Sequence, residues 1–108
     1  MNIRIKSTKL ELTPAIKSYI EEKMGMLEKY LGDRVDVRNF DVEVEKAVGG
    51  QYKGEIFRAE VNIEVPEQIL RVEKTEKDLY KAIDKVKDHL ELVIKKYKEK
   101  ILAKKRAK

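Results

Sequence analysis

Five acidic residues have the spacing that a catalytic or metal-binding strand would need. They recur every second residue in one stretch and four residues apart in another: Asp41, Glu43, Glu45, Glu60 and Glu64. Side chains two residues apart on a strand point to the same face, so each stretch could hold its carboxylates together. Such a group could bind a divalent cation through oxygen ligands or supply a general acid and base pair.

The simpler interpretation is that these carboxylates are outward-facing strand residues paired with cations across a sheet. Lys46, Lys53 and Arg58 are the candidate partners. No glycine-rich phosphate loop accompanies the carboxylates, and the chain has only one histidine, His89. We therefore predict no catalytic residue. An enzyme that depends on Glu43 is the alternative from another class.

Composition excludes several further kinds of site. The 108 residues suit one domain, and the absence of cysteine excludes disulfides and thiolate metal sites. We predict no metal, no cofactor and no small-molecule substrate. No apolar run approaches the ~20 residues that span a bilayer, and residues 1–6 do not resemble a secretory signal. We predict a cytoplasmic protein with no membrane partner, and the high lysine and glutamate content is typical of thermophiles.

Basic residues are concentrated toward the C-terminus of a chain whose net charge is +5. A row of ammonium groups suits a phosphodiester backbone, because neutralised phosphates release their counterions. The alternative is a solvated helix face with a frayed basic tail. The candidate RNA contacts in this segment are Lys81, Lys85, His89, Lys96, Lys98, Lys100, Lys104, Lys105 and Arg106.

Four segments alternate between apolar and polar residues, as half-buried strands do. In the second segment, Val35 and Val37 are out of register with Phe40 and the residues after it. This offset predicts a bulge near Arg38 or a late start of the strand. The four predicted strands cover residues 2–7, 35–47, 57–65 and 70–74.

Two turns connect the later strands. Gly49, Gly50 and Gly54 predict a hairpin loop in which Tyr52 is exposed. Pro66 followed by Glu67 predicts a tight turn. The resulting sheet should have one apolar and one polar face.

The first predicted helix covers residues 14–31. Thr13 can cap its N-terminus, Pro14 suits its first position, and Gly32 suits the position after its last turn. The three- and four-residue spacing of its apolar positions indicates one buried face.

The second predicted helix covers residues 76–103, with Thr75 and Asp78 as a capping-box variant. Its length of about 40 Å exceeds the roughly 20 Å of a six-residue strand, so its C-terminal part should overhang the sheet. The order β-α-β-β-β-α predicts an α+β fold, with both helices on the apolar face of a four-stranded sheet. We assign residues 1–103 to one domain and residues 104–108 to a basic tail.

Several stretches resemble the ribosome hibernation factor family, which includes the hibernation promoting factor and the ribosome-associated inhibitor. The resemblance extends over essentially the whole chain, and it implies a fold similar to a double-stranded-RNA-binding domain with an extra first strand. The matching residues are Leu10-Glu11-Leu12-Thr13, Tyr19, Lys23, Leu27-Glu28-Lys29-Tyr30 and Asp78-Leu79-Tyr80-Lys81-Ala82-Ile83-Asp84.

The resemblance implies a partner and a mechanism. The partner would be the small ribosomal subunit, bound in the channel that messenger RNA and transfer RNA normally occupy, and translation would be blocked by steric exclusion. The protein would be a monomer off the ribosome. Because longer relatives carry a C-terminal dimerising domain and this sequence ends at Lys108, we expect no ribosome pairing driven by the chain itself. The implied RNA contacts are Lys23, Lys96, Lys98 and Lys100.

Three positions depart from the family pattern. His89 and Leu92 stand where many relatives have lysine and arginine, and Met26 replaces a common lysine of the first helix. We therefore expect the RNA contacts to shift toward Lys81, Lys85 and the C-terminal lysines.

Two other binding roles stay open from the sequence. A general double-stranded-RNA binder is one, although such domains usually start their second helix with a lysine cluster, and here residues 76–78 are of mixed charge. A protein-binding adaptor is the other, and its association would depend little on salt.

Overall fold

The computed structural model describes residues 2–48 and 54–106. The predicted α+β fold and the order β-α-β-β-β-α are confirmed, with the first helix divided in two. The loop around Gly49 and Gly50, and the exposed position predicted for Tyr52, lie outside the described residues. The elements are β1 (Ile3–Thr8), α1 (Pro14–Gly25), α2 (Glu28–Leu31), β2 (Asn39–Val48), β3 (Glu55–Val65), β4 (Gln68–Glu76) and α3 (Leu79–Arg106).

The four strands form one sheet in the order β1-β2-β3-β4. Strand β1 is parallel to β2, whereas β2, β3 and β4 are antiparallel neighbours. A row of apolar residues crosses the whole sheet, because Ile5 lies opposite Val42, Val42 opposite Val61, and Val61 opposite Val72. Strand residues alternate between faces, so this row and its neighbours form the face that the helices cover.

Strand β2 starts at Asn39, which confirms the late start that was one of the two predictions for this segment. Its pairing with β3 is regular from Asn39 opposite Glu64 to Val48 opposite Glu55, so the predicted bulge is wrong. Val35 is buried and Val37 packs against the core before the strand begins. The apolar pair therefore belongs to the connection that returns the chain from α2 to the sheet.

The first helix has the predicted start and a break that was not predicted. The Thr13 side chain accepts a 3.2 Å hydrogen bond from the Ile16 N–H, which confirms the N-cap. After Gly25 the Leu27 N–H bonds a carbonyl three residues back instead of four, so the turn tightens and α1 ends. Gly32, at φ +59°, ends α2, where the sequence predicted a helix-ending glycine.

The boundary between β4 and α3 lies later in the chain than predicted. Strand β4 continues to Glu76 because its ladder with β3 continues, and Thr75 lies opposite Arg58. Thr75 therefore caps nothing, and the predicted capping box is wrong. Asp78 caps α3 alone, since its side chain accepts a 2.9 Å hydrogen bond from the Tyr80 N–H.

A single apolar core fills the space between the sheet and the helices. Ile20, Val44, Ile63, Leu90 and Ile94 are fully inaccessible to solvent, and no polar or charged residue is buried within the described ranges. Helix α3 has 28 residues and is about 42 Å long, so it exceeds the nine residues of β4, which cover about 30 Å. Lys100 and Ile101 lie beside the turn between β3 and β4, and the residues after them extend beyond the sheet, as the predicted overhang required.

Candidate nucleic-acid interface

The outer face of the sheet carries the strand carboxylates in a network centred on Arg58. Its guanidinium group donates to Glu43, to Glu45 at 2.9 Å and to Glu60 at 3.3 Å, and it lies 3.6 Å from Glu73. The Arg58 side chain is only 20% exposed, so these pairs are partly shielded from water. The predicted pairing of strand carboxylates with Arg58 is confirmed.

Further cations neutralise other carboxylates of this face. Arg4 donates two hydrogen bonds to Asp41, at 2.6 and 3.0 Å, and Arg71 donates one to Glu60 at 2.7 Å. Lys46 is in register with Val42 and Val44 and so belongs to the other face of the sheet, where it pairs at 2.6 Å with Glu55, which is not one of its predicted partners. Lys53 lies outside the described residues.

The pKa of Glu60 is set by the cations and the amide around its carboxyl group. Burial raises the pKa of Glu60, but the hydrogen bonds from Arg71 and Asn62 and the charge of Arg58 outweigh burial and hold the pKa below its ordinary value. A carboxyl group with a lowered pKa is ionised and has no proton to give. No group of three or more His, Asp or Glu side chains in residues 2–48 and 54–106 could hold a metal ion.

The opposite side of the molecule is formed by the helices, and α1 and α3 meet there in an interhelical groove lined by Tyr19, Lys23, Tyr80 and Asp84. The Tyr19 hydroxyl donates a 2.6 Å hydrogen bond to Asp84, and the Lys23 ammonium lies 3.6 Å from the same carboxylate. The Tyr19 and Tyr80 rings meet edge to face with their centroids 4.7 Å apart. The hydrogen bond to Asp84, with burial and the negative charge, raises the pKa of Tyr19 to about 12.

Further along the groove, the ring of Tyr30 lies close to two lysines, one from α2 and one from α3. The ammonium groups of Lys29 and Lys95 each lie 5.1 Å from the centre of this half-buried ring. Neither lysine was among the predicted contacts, although Lys95 lies in the basic C-terminal part of the chain and Lys29 in a stretch that carried the family resemblance. Only the packing of α2 on α3 brings the two charges together, so no local sequence pattern could have identified them.

Successive residues of an α-helix are rotated by about 100° about the helix axis. The predicted contacts on α3 therefore fall on two different flanks of the helix. One flank faces α1 and α2, as the contacts of Asp84 and Lys95 show, and Lys98 and Lys105 share it. The other flank faces β4. The predicted residues on the β4 flank are Lys81, Lys85, His89, Lys96 and Lys100.

Three of the predicted cations are paired with acids. Lys23 pairs with Asp84 as described, Lys85 pairs with Glu76 at the end of β4, and Lys104 lies 3.7 Å from Glu67. The last pair is exposed on both sides and contributes little. Among the described residues, no acidic side chain lies within ion-pair distance of Lys81, Lys96, Lys98, Lys100, Lys105 or Arg106.

The unpaired cations therefore extend along α3 from its first turns to its last. Lys96 and Lys100 are exposed, and Lys98 is partly covered. Lysines free of internal partners can exchange their water and counterions for phosphates. Nothing in residues 2–48 and 54–106 forms a helix long and apolar enough to cross a membrane.

A family model described as sigma 54 modulation protein / S30EA ribosomal protein matches residues 3–102. The ribosome hibernation promotion factor of Bacillus subtilis is 37% identical over 101 residues, which cover 94% of this chain and 50% of the relative. The factor of the same name from Staphylococcus aureus is 36% identical over 106 residues, which cover 98% of this chain and 53% of the relative. The chain thus spans about half the length of these curated relatives.

Two solved structures share the fold. The crystal structure of the Thermus thermophilus Protein Y N-terminal domain matches with a TM-score of 0.68 and 33% identity, over 90% of this chain and 99% of that one. The structure of a ribosomal subunit interface protein from Coxiella burnetii matches with a TM-score of 0.71 and 20% identity, over 92% of this chain and 99% of that one. The second likeness concerns the fold alone.

Proposed function

This chain belongs to the sigma 54 modulation protein / S30EA ribosomal protein family, and we propose that it binds the ribosome through the RNA of the small subunit. While bound, it occupies the channel of messenger RNA and transfer RNA and so blocks translation by steric exclusion. The role requires no catalysis and is carried out in the cytoplasm. The name that these relatives share, ribosome hibernation promotion factor, supports the ribosome as the partner.

The observation that carries the proposal is the separation of charge across the fold. Carboxylates of the sheet are neutralised on its outer face by Arg4, Arg58 and Arg71. Cations of α3 such as Lys96 and Lys100 have no such partner among the described residues and lie on the other side of the core. Phosphates that approach Lys96 and Lys100 therefore meet charges that no acidic side chain of the described residues offsets at ion-pair distance.

Steric exclusion also requires a body that keeps its shape on binding. The core is continuous from the sheet to α3, and Leu90 and Ile94 are completely buried in it. A domain packed in this way presents its lysines at fixed spacings, which favours an RNA of matching shape over one of matching sequence. The bound domain then excludes other ligands by its volume.

The test is co-sedimentation of the full chain with isolated small ribosomal subunits at low and high salt. We expect the wild type to sediment with the subunits at low salt and to be released as salt rises. The variant Lys96→Gln/Lys100→Gln should bind about tenfold more weakly at low salt, because two phosphate contacts are lost. The control is Lys6→Gln/Arg71→Gln, which removes the same charge from the outer sheet face and should bind as the wild type does.

Either of two results would contradict the proposal. One is that the wild type fails to sediment with the subunits, and the other is that both double variants bind equally. Comparison with a plain RNA duplex separates the proposed function from a general double-stranded-RNA binder. Equal affinity for duplex and subunit would favour the general binder, whereas we expect the subunit to bind more tightly.

A further inference from the structure

The interhelical groove contains a carboxylate of the protein itself, at the contact between α1 and α3. Asp84, on α3, accepts the Tyr19 hydroxyl at 2.6 Å and faces the Lys23 ammonium at 3.6 Å, and both of these donors belong to α1. An RNA phosphate oxygen also accepts hydrogen bonds from hydroxyl and ammonium groups. Asp84 therefore fills the position that a phosphate would occupy between the helices.

The Asp84 charge is open to the surface of the groove, because its side chain is 42% exposed while that of Lys23 is 25% exposed. A phosphate near Lys23 would meet this negative charge at close range, and like charges repel. One turn further along α3, Lys87 is paired with Glu91 at 2.5 Å, and the cations beyond this pair are Lys29 and Lys95, around Tyr30. Lys95 lies eleven residues, or about 16 Å, from Asp84 along α3. An RNA strand that follows the groove continuously would have to pass the carboxylate.

On the basis of the proposed function, we propose that Asp84 is a specificity-determining residue that excludes phosphate from the part of the interhelical groove beside Tyr19 and Lys23. RNA that lies evenly along both helices, as a plain duplex does, loses a contact there. RNA whose folded backbone arches over Asp84 keeps its contacts with Lys29 and Lys95 further along the groove. The carboxylate thus lowers the affinity for unstructured and duplex RNA, and it does not lower the affinity for an RNA of matching shape.

This role can be separated from a packing role, because the two depend on different properties of the side chain. Asparagine has an oxygen in the same place and can still accept the Tyr19 hydrogen bond, but it carries no charge. Phenylalanine at position 19 removes the hydrogen bond and leaves both the Asp84 charge and its pair with Lys23. The variants Asp84→Asn and Tyr19→Phe therefore test charge and packing separately.

The experiment measures the affinity of the full chain for a plain RNA duplex as a function of salt. We expect Asp84→Asn to bind the duplex about three- to tenfold more tightly than the wild type, with a slope of log K against log salt steeper by about 0.9, which corresponds to one added phosphate contact. The double variant Lys23→Gln/Asp84→Asn should lose this gain, and Tyr19→Phe should not show it. Thermal unfolding of each variant verifies that the domain is folded.

Small ribosomal subunits provide the second arm. Asp84→Asn should change the affinity for subunits less than it changes the affinity for the duplex, so that the ratio of the two affinities falls. An unchanged duplex affinity, or an equal gain in Tyr19→Phe, would overturn the inference. Failure of the wild type to bind subunits would instead refute the proposed function, and the duplex slope would still report on Asp84.

Discussion

Lys85 of α3 is ion-paired with Glu76, the last residue of β4. The chain turns through Asp78 and then packs back over the strand, which brings the second turn of α3 beside the strand end. The hydrogen bond from Lys85 and its positive charge hold the pKa of Glu76 below its ordinary value. Lys85 thus enters any encounter with RNA already neutralised, whereas Lys81, one turn earlier, has no acidic side chain within ion-pair distance among the described residues and acts on Glu76 only through its charge.

We predict that Lys81→Gln weakens binding to small subunits more than Lys85→Gln does. An RNA phosphate can pair with Lys81 directly, but it must displace Glu76 before it can pair with Lys85. Loss of one phosphate contact should reduce the slope of log K against log salt by about 0.7 to 0.9 for Lys81→Gln, and the slope for Lys85→Gln should stay near that of the wild type. Equal slopes in the two variants would contradict this prediction.

The two flanks of α3 can be distinguished by a second pair of variants. Lys96→Gln/Lys100→Gln removes charge from the β4 flank, and Lys98→Gln/Lys105→Gln removes the same charge from the groove flank. We expect both to weaken subunit binding, because the unpaired cations occur on both flanks and act on the same RNA. Full affinity in one variant would confine the interface to the opposite flank. Unfolding by urea serves as the control, since exposed lysines should alter stability by less than about 0.5 kcal/mol.

Tyr19→Phe should destabilise the domain in a pH-dependent way. The pKa of Tyr19 is raised to about 12, so the folded protein holds the hydroxyl proton more tightly than the unfolded chain does. The hydrogen bond therefore contributes fully below the ordinary tyrosine pKa of about 10 and is lost as the pH rises toward 12. We expect the variant to be less stable by about 1 kcal/mol at pH 7, and the gap should narrow between pH 10 and 12 in urea unfolding. If the difference in stability between Tyr19→Phe and the wild type does not change with pH, the hydrogen bond is not the cause of the raised Tyr19 pKa.

Removal of Arg58 should destabilise the sheet at neutral pH. Arg58→Met leaves Glu43, Glu45 and Glu60 facing one another without their shared cation, and we expect a loss of about 2 kcal/mol at pH 7. The lowered pKa of Glu60 means that its ionised form stabilises the fold above pH ~4.3, the ordinary glutamate pKa, and that this contribution disappears as pH falls through the folded pKa.

The measurement for Arg58 is urea unfolding at pH 7 and pH 3. The gap between Arg58→Met and the wild type should shrink at the lower pH. Arg71→Met is the matched control, because the Arg71 side chain is 63% exposed and its pair with Glu60 should contribute no more than about 1 kcal/mol. A larger loss in Arg71→Met than in Arg58→Met would contradict the prediction.

Local patterns were enough to predict most of the fold. Alternation from Phe57 to Val65 identified a strand because one face of the sheet is buried, and Thr13 and Gly32 identified helix ends because backbone groups there need special partners. The parallel pairing of β1 with β2 was not predicted, since alternation shows which face of a strand is buried and not which strand lies beside it. The end of β4 was misplaced for a related reason. Its last pairs, such as Thr75 opposite Arg58, are set by β3.

The candidate site was predicted less completely than the fold. Helical periodicity correctly grouped Lys96 with Lys100, because it depends only on the geometry of one helix. It could not show that Lys85 is neutralised by Glu76 or that Lys23 shares Asp84 with Tyr19, because these contacts join different elements. Whether the predicted cations bind RNA stays a prediction.

The carboxylates of the outer sheet face offset the cations there, whereas several lysines of α3 have no acid within ion-pair distance among the described residues, so we expect an electric dipole whose positive end lies toward these lysines. In the field of a polyanion, such a dipole turns the lysine side forward while the partners are still separated by solvent. Productive orientation is then selected during diffusion, and the association rate constant increases accordingly. Added electrolyte would slow capture more than it shortens the lifetime of the complex.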